Sequence, residues 1–301
     1  MSVLAIVAAL LLEQWRPLAE RKNVAAALGG FAAWLEQSFN GGERRHGAVA
    51  WLVAVIPAVV GAIALHAALY AMNPLLALAF NVAALYLTLG FRQFSHHFTN
   101  IQLAIKAGDI DRARGELDAW RGASGVVRGR EEMIRLSIEE ALLASHRYVF
   151  GVLLWYVLLP GPSGAILYRL AAYFAVRWRG VGPFGEFAGR VLHLLEWPAV
   201  RLTAASFAVV GDFEDAVYCW RTQARSWHDA NAGVVLAAGA GAMGVRLGML
   251  VQETEGVVAR PELGVGEGAD GPFLDSAVGL VWRALVVWVF LLIVISVARL
   301  L

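Results

Sequence analysis

Residues 48–72, AVAWLVAVIPAVVGAIALHAALYAM, run without a single formal charge. A helix needs roughly 20 consecutive apolar residues to cross the hydrocarbon core of a bilayer, so a charge-free run of this kind reads as a span. An Asn73-Pro74 turn follows, and residues 75–91, LLALAFNVAALYLTLGF, are again uncharged. Two such runs joined by Asn-Pro predict a helical hairpin, because proline in the first turn of a helix gives up an N–H that has no partner there. Arg16, Arg21, Lys22, Arg44 and Arg45 precede the hairpin, and Arg92, Lys106, Arg112 and Arg114 follow it. Lys and Arg collect on the cytoplasmic side of short loops, so the hairpin is expected to enter from the cytoplasm and return there, with its tip outside.

Composition points the same way. The chain of 301 residues is 59% hydrophobic and 16% charged, against about 45–50% and about 25% in soluble domains. Its net charge of +1 argues against a nucleic-acid partner, which demands a basic excess. Cys219 is the only cysteine, which excludes an intrachain disulfide and a cysteine-based metal site. The apolar start, MSVLAIVAALLLEQWRP, lacks the basic n-region and cleavage site of a signal peptide. It is too short to span alone and reads as a retained helix, interfacial or packed on the bundle.

Residues 92–147 form the main polar region and predict a cytoplasmic helical hairpin. AGDIDRARGELDAWRG reads as a helix capped by Asp109, and GASGVVRG as the loop. In REEMIRLSIEEALLASH, Ile134, Ile138, Ala141, Leu142 and Ser145 recur at helical spacing, and Glu131 and Arg135 form a supportive i,i+4 pair. The apolar block 148–176 is broken at Pro160-Gly161-Pro162. Prolines so spaced end a helix, so two half-helices are expected, each too short to cross, as a re-entrant hairpin or a broken span. Residues 190–227 are amphipathic and aromatic, as suits an interface. Residues 252–275 form a loop with six carboxylates and one arginine, a bias consistent with the outer side, and an uncharged core at 284–298, flanked by Arg283 and Arg299, is the last span. The count is four to six membrane segments in an all-α, polytopic helical bundle.

The stretch DANAGVVLAAGAGAMGVRLG, residues 229–248, carries five glycines. Small residues let membrane helices pack closely, which accounts for Gly233, Gly239, Gly241 and Gly244. Arg246 is different, since a charge within the bilayer is costly and is usually paired or functional. Asn231 and Arg246 stand at the two ends of a packed helix, where they could meet an anionic group such as a phosphate. Alternatively Arg246 snorkels to an interface. His96 and His97 point about 100° apart on a helix and suit an interfacial cluster with Arg92 better than one metal. Asp212, Glu214 and Asp215 could hold Mg²⁺, with Asp212 and Glu214 as its ligands, or cap a helix starting after Gly211. No nucleophile triad, Walker loop or dinucleotide fingerprint is present.

Several segments, in order, resemble the CobD/CbiB family of cobalamin-biosynthesis membrane proteins: LLLEQWRPL…WLEQSFNGGERRHG, FSHHF…AIKAGDIDRARGELDAWRG, PGPSGAILYR, LEWPAVRLTA and NAGVVLAAGAGAMGVRLG. The resemblance covers nearly the whole chain. LHLLEWPAVRL…FAVVGDFEDA is also similar to the related AmpE family, membrane proteins tied to β-lactamase regulation. The first resemblance implies an adenosylcobinamide-phosphate synthase, an ATP-dependent ligase that joins adenosylcobyric acid to an aminopropanol phosphate through an amide. Arg169 and Arg201 match the family's arginines in YR and ARLTA, where a guanidinium suits carboxylate or phosphate; a salt bridge to Glu139, Glu140 or Glu196 is the plainer role.

The chain departs from the family pattern where GDP…PHPV, GRDTS, ESxAEN and NTLDxM are usual; Glu139 or Glu140 survives of the third. Two functions follow. The first is corrinoid amidation at the cytoplasmic face, with Arg169, Arg201, Asn231, Gly233 and Arg246 binding substrate and with ATP and Mg²⁺ required. The second is an AmpE-like, non-enzymatic regulator or sensor that binds a ligand or partner. Either reading expects a single domain over 1–301 in the bacterial inner membrane, in contact with lipid, with a corrinoid or other small ligand and with a homo-oligomer admitted.

Overall fold

The computed structural model describes residues 2–15, 21–122, 129–253 and 256–298. In chain order its helices are α1 (Ser2–Trp15), α2 (Arg21–Phe39), α3 (Arg44–Met72), α4 (Pro74–Thr88), α5 (Phe91–Ala107), α6 (Ile110–Arg121), α7 (Arg130–Ser145) and α8 (Gly151–Leu158). Then come α9 (Ser163–Arg177), α10 (Glu186–Val210), α11 (Phe213–Gln223), α12 (Ala230–Met243), the strands β1 (Leu247–Glu253) and β2 (Gly256–Leu263), and α13 (Gly271–Ala298). The fold is an all-α membrane helical bundle with one small antiparallel β-hairpin. Three helical runs are long and apolar enough to cross a membrane: Arg44–Met72, Arg130–Leu158 and Gly271–Ala298.

Helix boundaries follow from local chemistry. The Asn73 side chain accepts a hydrogen bond from the Leu75 N–H at 2.8 Å, with Pro74 opening α4, so α3 and α4 meet in the expected turn. Asp109 caps α6 by accepting from the Arg112 N–H at 3.0 Å. Gly244 closes α12 in the left-handed conformation, which glycine adopts at little cost.

The chain divides into two compact units with interleaved segments, one of Met1–Gly90 and Gly151–Pro198, the other of Phe91–Phe150 and Ala199–Leu301. In the first, Trp51, Val55, Phe174, Trp178 and Phe184 share a core, with the Phe174 and Trp178 rings stacked 4.6 Å apart. A Cβ on Gly47 would overlap the Phe184 carbonyl. α1 packs against α4 through Ala5, Ile6 and Ala9, which chooses the packed alternative for the N-terminal helix.

In the second unit α7 is central, touching α5, α6, α12, α13 and β1. Ile134, Ile138, Ala141, Leu142 and Ser145 are buried as the spacing predicted. So are Arg135, Ser137 and Glu139, so α7 has no broad solvent face. Buried polar groups need partners, and the Ser137 hydroxyl finds one by donating to the Met133 carbonyl at 2.7 Å.

Two expectations need correcting. The break at 159–162 is present, but the helix before it is no short half-helix. α7 runs through a π-helical turn (His146–Phe150) into α8, giving 29 continuous residues. The residues around 147 carry no proline or glycine cluster to stop it. The acidic loop is partly the β-hairpin, whose strands are too short to show a clear alternation in sequence. Most of the expected loop GASGVVRG lies outside the described residues.

Candidate functional site

The second unit buries one carboxylate against an arginine from far along the chain. Glu139 of α7 is 5% exposed. Its Oε2 accepts from Arg260 Nη1 at 2.8 Å and its Oε1 from Arg260 Nη2 at 3.3 Å. Oε1 also accepts from the Gly248 N–H at 2.9 Å. Removing either partner would strand a buried charge, a change that costs roughly 3–5 kcal/mol. The Arg260 guanidinium also lies 5.1 Å from the centre of the Trp227 ring, a cation–π contact.

Backbone geometry makes this arrangement possible. The ladder shifts register between Leu247 and Met249, where Gly248 (φ 82) and Met249 (φ 68) both have positive φ. Outside glycine that conformation costs roughly 1–2 kcal/mol. A Cβ on Gly248 would overlap the Pro261 carbonyl and lie 3.2 Å from Trp227 Cζ3. At the hairpin's other root, the Gly264 N–H donates to Gln223 Oε1 at 2.6 Å and Gln223 Nε2 donates to the Gly264 carbonyl at 3.2 Å. Both strands are thus fastened near the open end of the hairpin.

The residues singled out in the sequence fall into place around this clasp. Asp229 caps α12, accepting from the N–H groups of Asn231 at 2.9 Å and Ala232 at 3.2 Å. Asn231 is buried in the first turn. A Cβ on Gly233 would overlap the Ala224 carbonyl and come within 2.8 Å of Trp227 Cβ. Gly233 and Gly248 therefore both close on Trp227, the residue that Arg260 covers. Gly239 faces Leu142, and Gly241 faces the Asp215 backbone, so the glycines of α12 serve close packing. About 18 Å of helix separates Asn231 from Met243 at 1.5 Å per residue.

Arg246 lies just beyond the C-terminus of α12, between the buried Val245 and Leu247. Its N–H donates to the Glu267 carbonyl at 2.9 Å. Its guanidinium is half exposed and 3.6 Å from Glu262 Oε1, beyond hydrogen-bond range. Its Nε is buried with no hydrogen-bond partner. Arg169, half-buried on α9, belongs to the first unit, and Arg201, half-buried on α10, to the second.

The acidic cluster caps a helix. Asp212 Oδ1 accepts from the Asp215 N–H at 3.0 Å, and Glu214 borders a shallow groove on α11 with Phe213, Tyr218 and Arg221. Among the described residues no group of three or more His, Cys, Asp or Glu side chains is placed to hold a metal ion. His97 Nδ1 lies 3.3 Å from Glu116 Oε2, and its ring stacks on Trp120. The Arg92 side chain, its expected neighbour, lies outside the described residues.

Arg260, Trp227 and Gln223 were not picked out from sequence, although Arg260 is the single arginine of the acidic stretch. That isolation is a usable signal, because a lone cation among carboxylates is held where it is for a partner. His146, buried with Nδ1 3.0 Å from Thr203 Oγ1, was also missed. Thr203 donates its one hydroxyl hydrogen to the Ala199 carbonyl at 2.9 Å, so the His146 Nδ1–H is the donor.

Comparison with known proteins decides the family. The family model described as CobD/Cbib protein matches residues 5–297. The chain belongs to the CobD/CbiB family. A Stutzerimonas stutzeri protein named cobalamin biosynthesis protein CobD is 34% identical over 298 residues, 96% of each chain. A Chromobacterium violaceum protein of the same name is 34% identical over 290 residues, 91% of this chain and 88% of its own. One from Leptospira interrogans is 24% identical over 179 residues, 56% of each chain. None of these three CobD relatives carries an AmpE name. No solved structure matches the chain.

Proposed function

We propose that this CobD/CbiB-family chain is a multi-pass inner-membrane protein of cobalamin biosynthesis, of the adenosylcobinamide-phosphate synthase type. The observation that carries the reading is the family match over residues 5–297, with 34% identity across 96% of a relative named for cobalamin biosynthesis. On this reading the chain condenses a carboxylate of adenosylcobyric acid with the amine of aminopropanol phosphate, and the loss of water is driven by hydrolysis of ATP, which enters with Mg²⁺ as its cofactor. Residues 92–122, ahead of the Arg130–Leu158 run, face the cytoplasm, and the hairpin lies on their side rather than outside, since Gln102 and Lys106 of α5 bond to Asp275 at the end of the acidic stretch.

The chain's own groups have distinct tasks. Arg246, whose half-exposed guanidinium is held only by a loose 3.6 Å ion pair to Glu262, receives the oxyanion of the phosphorylated amine. Glu139, Arg260 and Trp227 hold the hairpin so that Arg246 and the first turn of α12 keep their places. Arg169 and Arg201 are further candidates for carboxylate or phosphate contacts.

The test is turnover. The detergent-purified chain, given adenosylcobyric acid, aminopropanol phosphate and MgATP, is expected to form the amide, and Arg246→Ala to abolish it. The absence of both amide product and corrinoid binding in the intact chain would overturn the reading.

A further inference from the structure

The β-hairpin region carries two arginines with opposite employment. Arg260 spends both terminal nitrogens on Glu139 and lays its face on Trp227. Arg246 makes no hydrogen bond to Glu262, which stands 3.6 Å away, and its Nε is buried without an acceptor. A buried N–H without an acceptor is costly. Packing does not explain that expense, because Val245 and Leu247 on either side fill the core while the guanidinium stays half exposed. The Arg246 backbone is held by the Val245–Glu267 bridge and the N–H to the Glu267 carbonyl. The guanidinium thus starts from a fixed anchor, at a distance that a carboxylate satisfies only loosely.

We propose that Glu262 is a resident counter-ion that competes for Arg246 with a substrate oxyanion, and so sets the affinity and selectivity of this site for a phosphomonoester. The inference rests on the reading of Arg246 as the phosphate receptor and adds Glu262 as a specificity-determining residue. With the site empty, Glu262 partly neutralises Arg246. A phosphate, which can take two guanidinium donors at once, makes the hydrogen bonds that Glu262 does not. The departing carboxylate turns to water, since Glu262 is itself half exposed. Unphosphorylated aminopropanol is an ammonium cation at neutral pH; it has no oxyanion for Arg246, cannot take the place of Glu262 and is excluded. Glu262 is thus a filter that only an oxyanion able to displace a carboxylate passes, and removing its charge strengthens phosphate binding.

The experiment measures binding of inorganic phosphate, aminopropanol phosphate and unphosphorylated aminopropanol by the full-length chain in detergent, beside turnover in the same preparation. Glu262→Gln is expected to tighten phosphate and aminopropanol phosphate about 2- to 5-fold, the most that removing an exposed ion-pair partner gives. Arg246→Gln is expected to weaken both at least tenfold, and Glu262→Asp to stay near wild type. Unphosphorylated aminopropanol should not bind measurably to the wild type.

Unchanged phosphate affinity in Glu262→Gln overturns the inference. So does phosphate binding that survives Arg246→Gln, or a lack of phosphate binding in both wild type and Glu262→Gln. Thermal unfolding midpoints of the variants within about 2 °C of wild type show that the affinities are read on folded protein; a variant that unfolds is replaced by Arg246→Lys, expected to weaken binding by a smaller factor. The two claims separate cleanly. Phosphate binding with the expected pattern but no amide product keeps Glu262 in its role and removes the synthase reading. Turnover indifferent to Arg246 and Glu262 does the reverse.

Discussion

The two arginines beside one small hairpin show what burial does to a charge. Arg260 is four-fifths buried, bonded twice to a buried carboxylate and covered by an indole. Arg246 is half exposed, loosely paired and has a donor to spare. The first arrangement is costly to break and has nothing left for a ligand. The second contributes little to stability, since exposed pairs are worth about 0–1 kcal/mol, and is the one available for chemistry. In a chain this apolar, a charge is therefore not evidence of a binding site until its partners are counted.

The largest effect is expected at the locked pair. Glu139→Gln leaves Arg260 buried without its counter-charge and should destabilise the second unit by roughly 3–5 kcal/mol, read as a lower unfolding midpoint in detergent. Pairing it with Arg260→Met should recover much of that loss, because no uncompensated charge remains. Equal losses from the double and the Glu139→Gln variants would mean that the ion pair is not what holds the hairpin.

A middle-sized effect tests the packing beneath the clasp. Gly241→Ala would drive a Cβ into the Asp215 backbone and should cost about 1–3 kcal/mol. Gly61→Ala on α3 meets open space and should be neutral or stabilising by up to about 1 kcal/mol. Similar midpoints for the two would contradict the close approach of α11 and α12.

The smallest effect uses Cys219 as a reporter. It is buried on α11, and burial pushes its thiol up to about 11, with the Asp215 charge adding to the rise and a Gly264 backbone contact opposing it. Because the thiolate is the reactive form, maleimide labelling at pH 7.5 should be slow and should accelerate only as pH approaches 11. Loosening the hairpin with Arg260→Lys should expose Cys219 and speed labelling at pH 7.5, whereas Arg246→Lys should not.

How far the fold could be read from sequence follows from the range of the interactions. The charge-free runs of α3 and α13, the Asn73-Pro74 turn, the Asp109 cap and the break after Leu158 rest on neighbours a few residues apart, and each is found. The continuation of α7 into α8 was masked by the charges near Arg147, which suggested a boundary where the backbone has no reason to stop. The clasp was out of reach, because Glu139 and Arg260 are 121 residues apart and no spacing rule connects them. The family motifs pointed to the right neighbourhood, bringing Gly233 beside Trp227. They singled out Arg246 and passed over Arg260, whose role shows only in partners far along the chain.

The most direct measurement sets the two arginines side by side. Arg260→Lys and Arg246→Lys are prepared in the same detergent, and each is assayed for unfolding midpoint and for inorganic phosphate affinity. The account predicts a clearly lowered midpoint for Arg260→Lys, and a midpoint near wild type with weakened phosphate binding for Arg246→Lys. The opposite pattern, with Arg246 carrying the stability and Arg260 the phosphate, would contradict it.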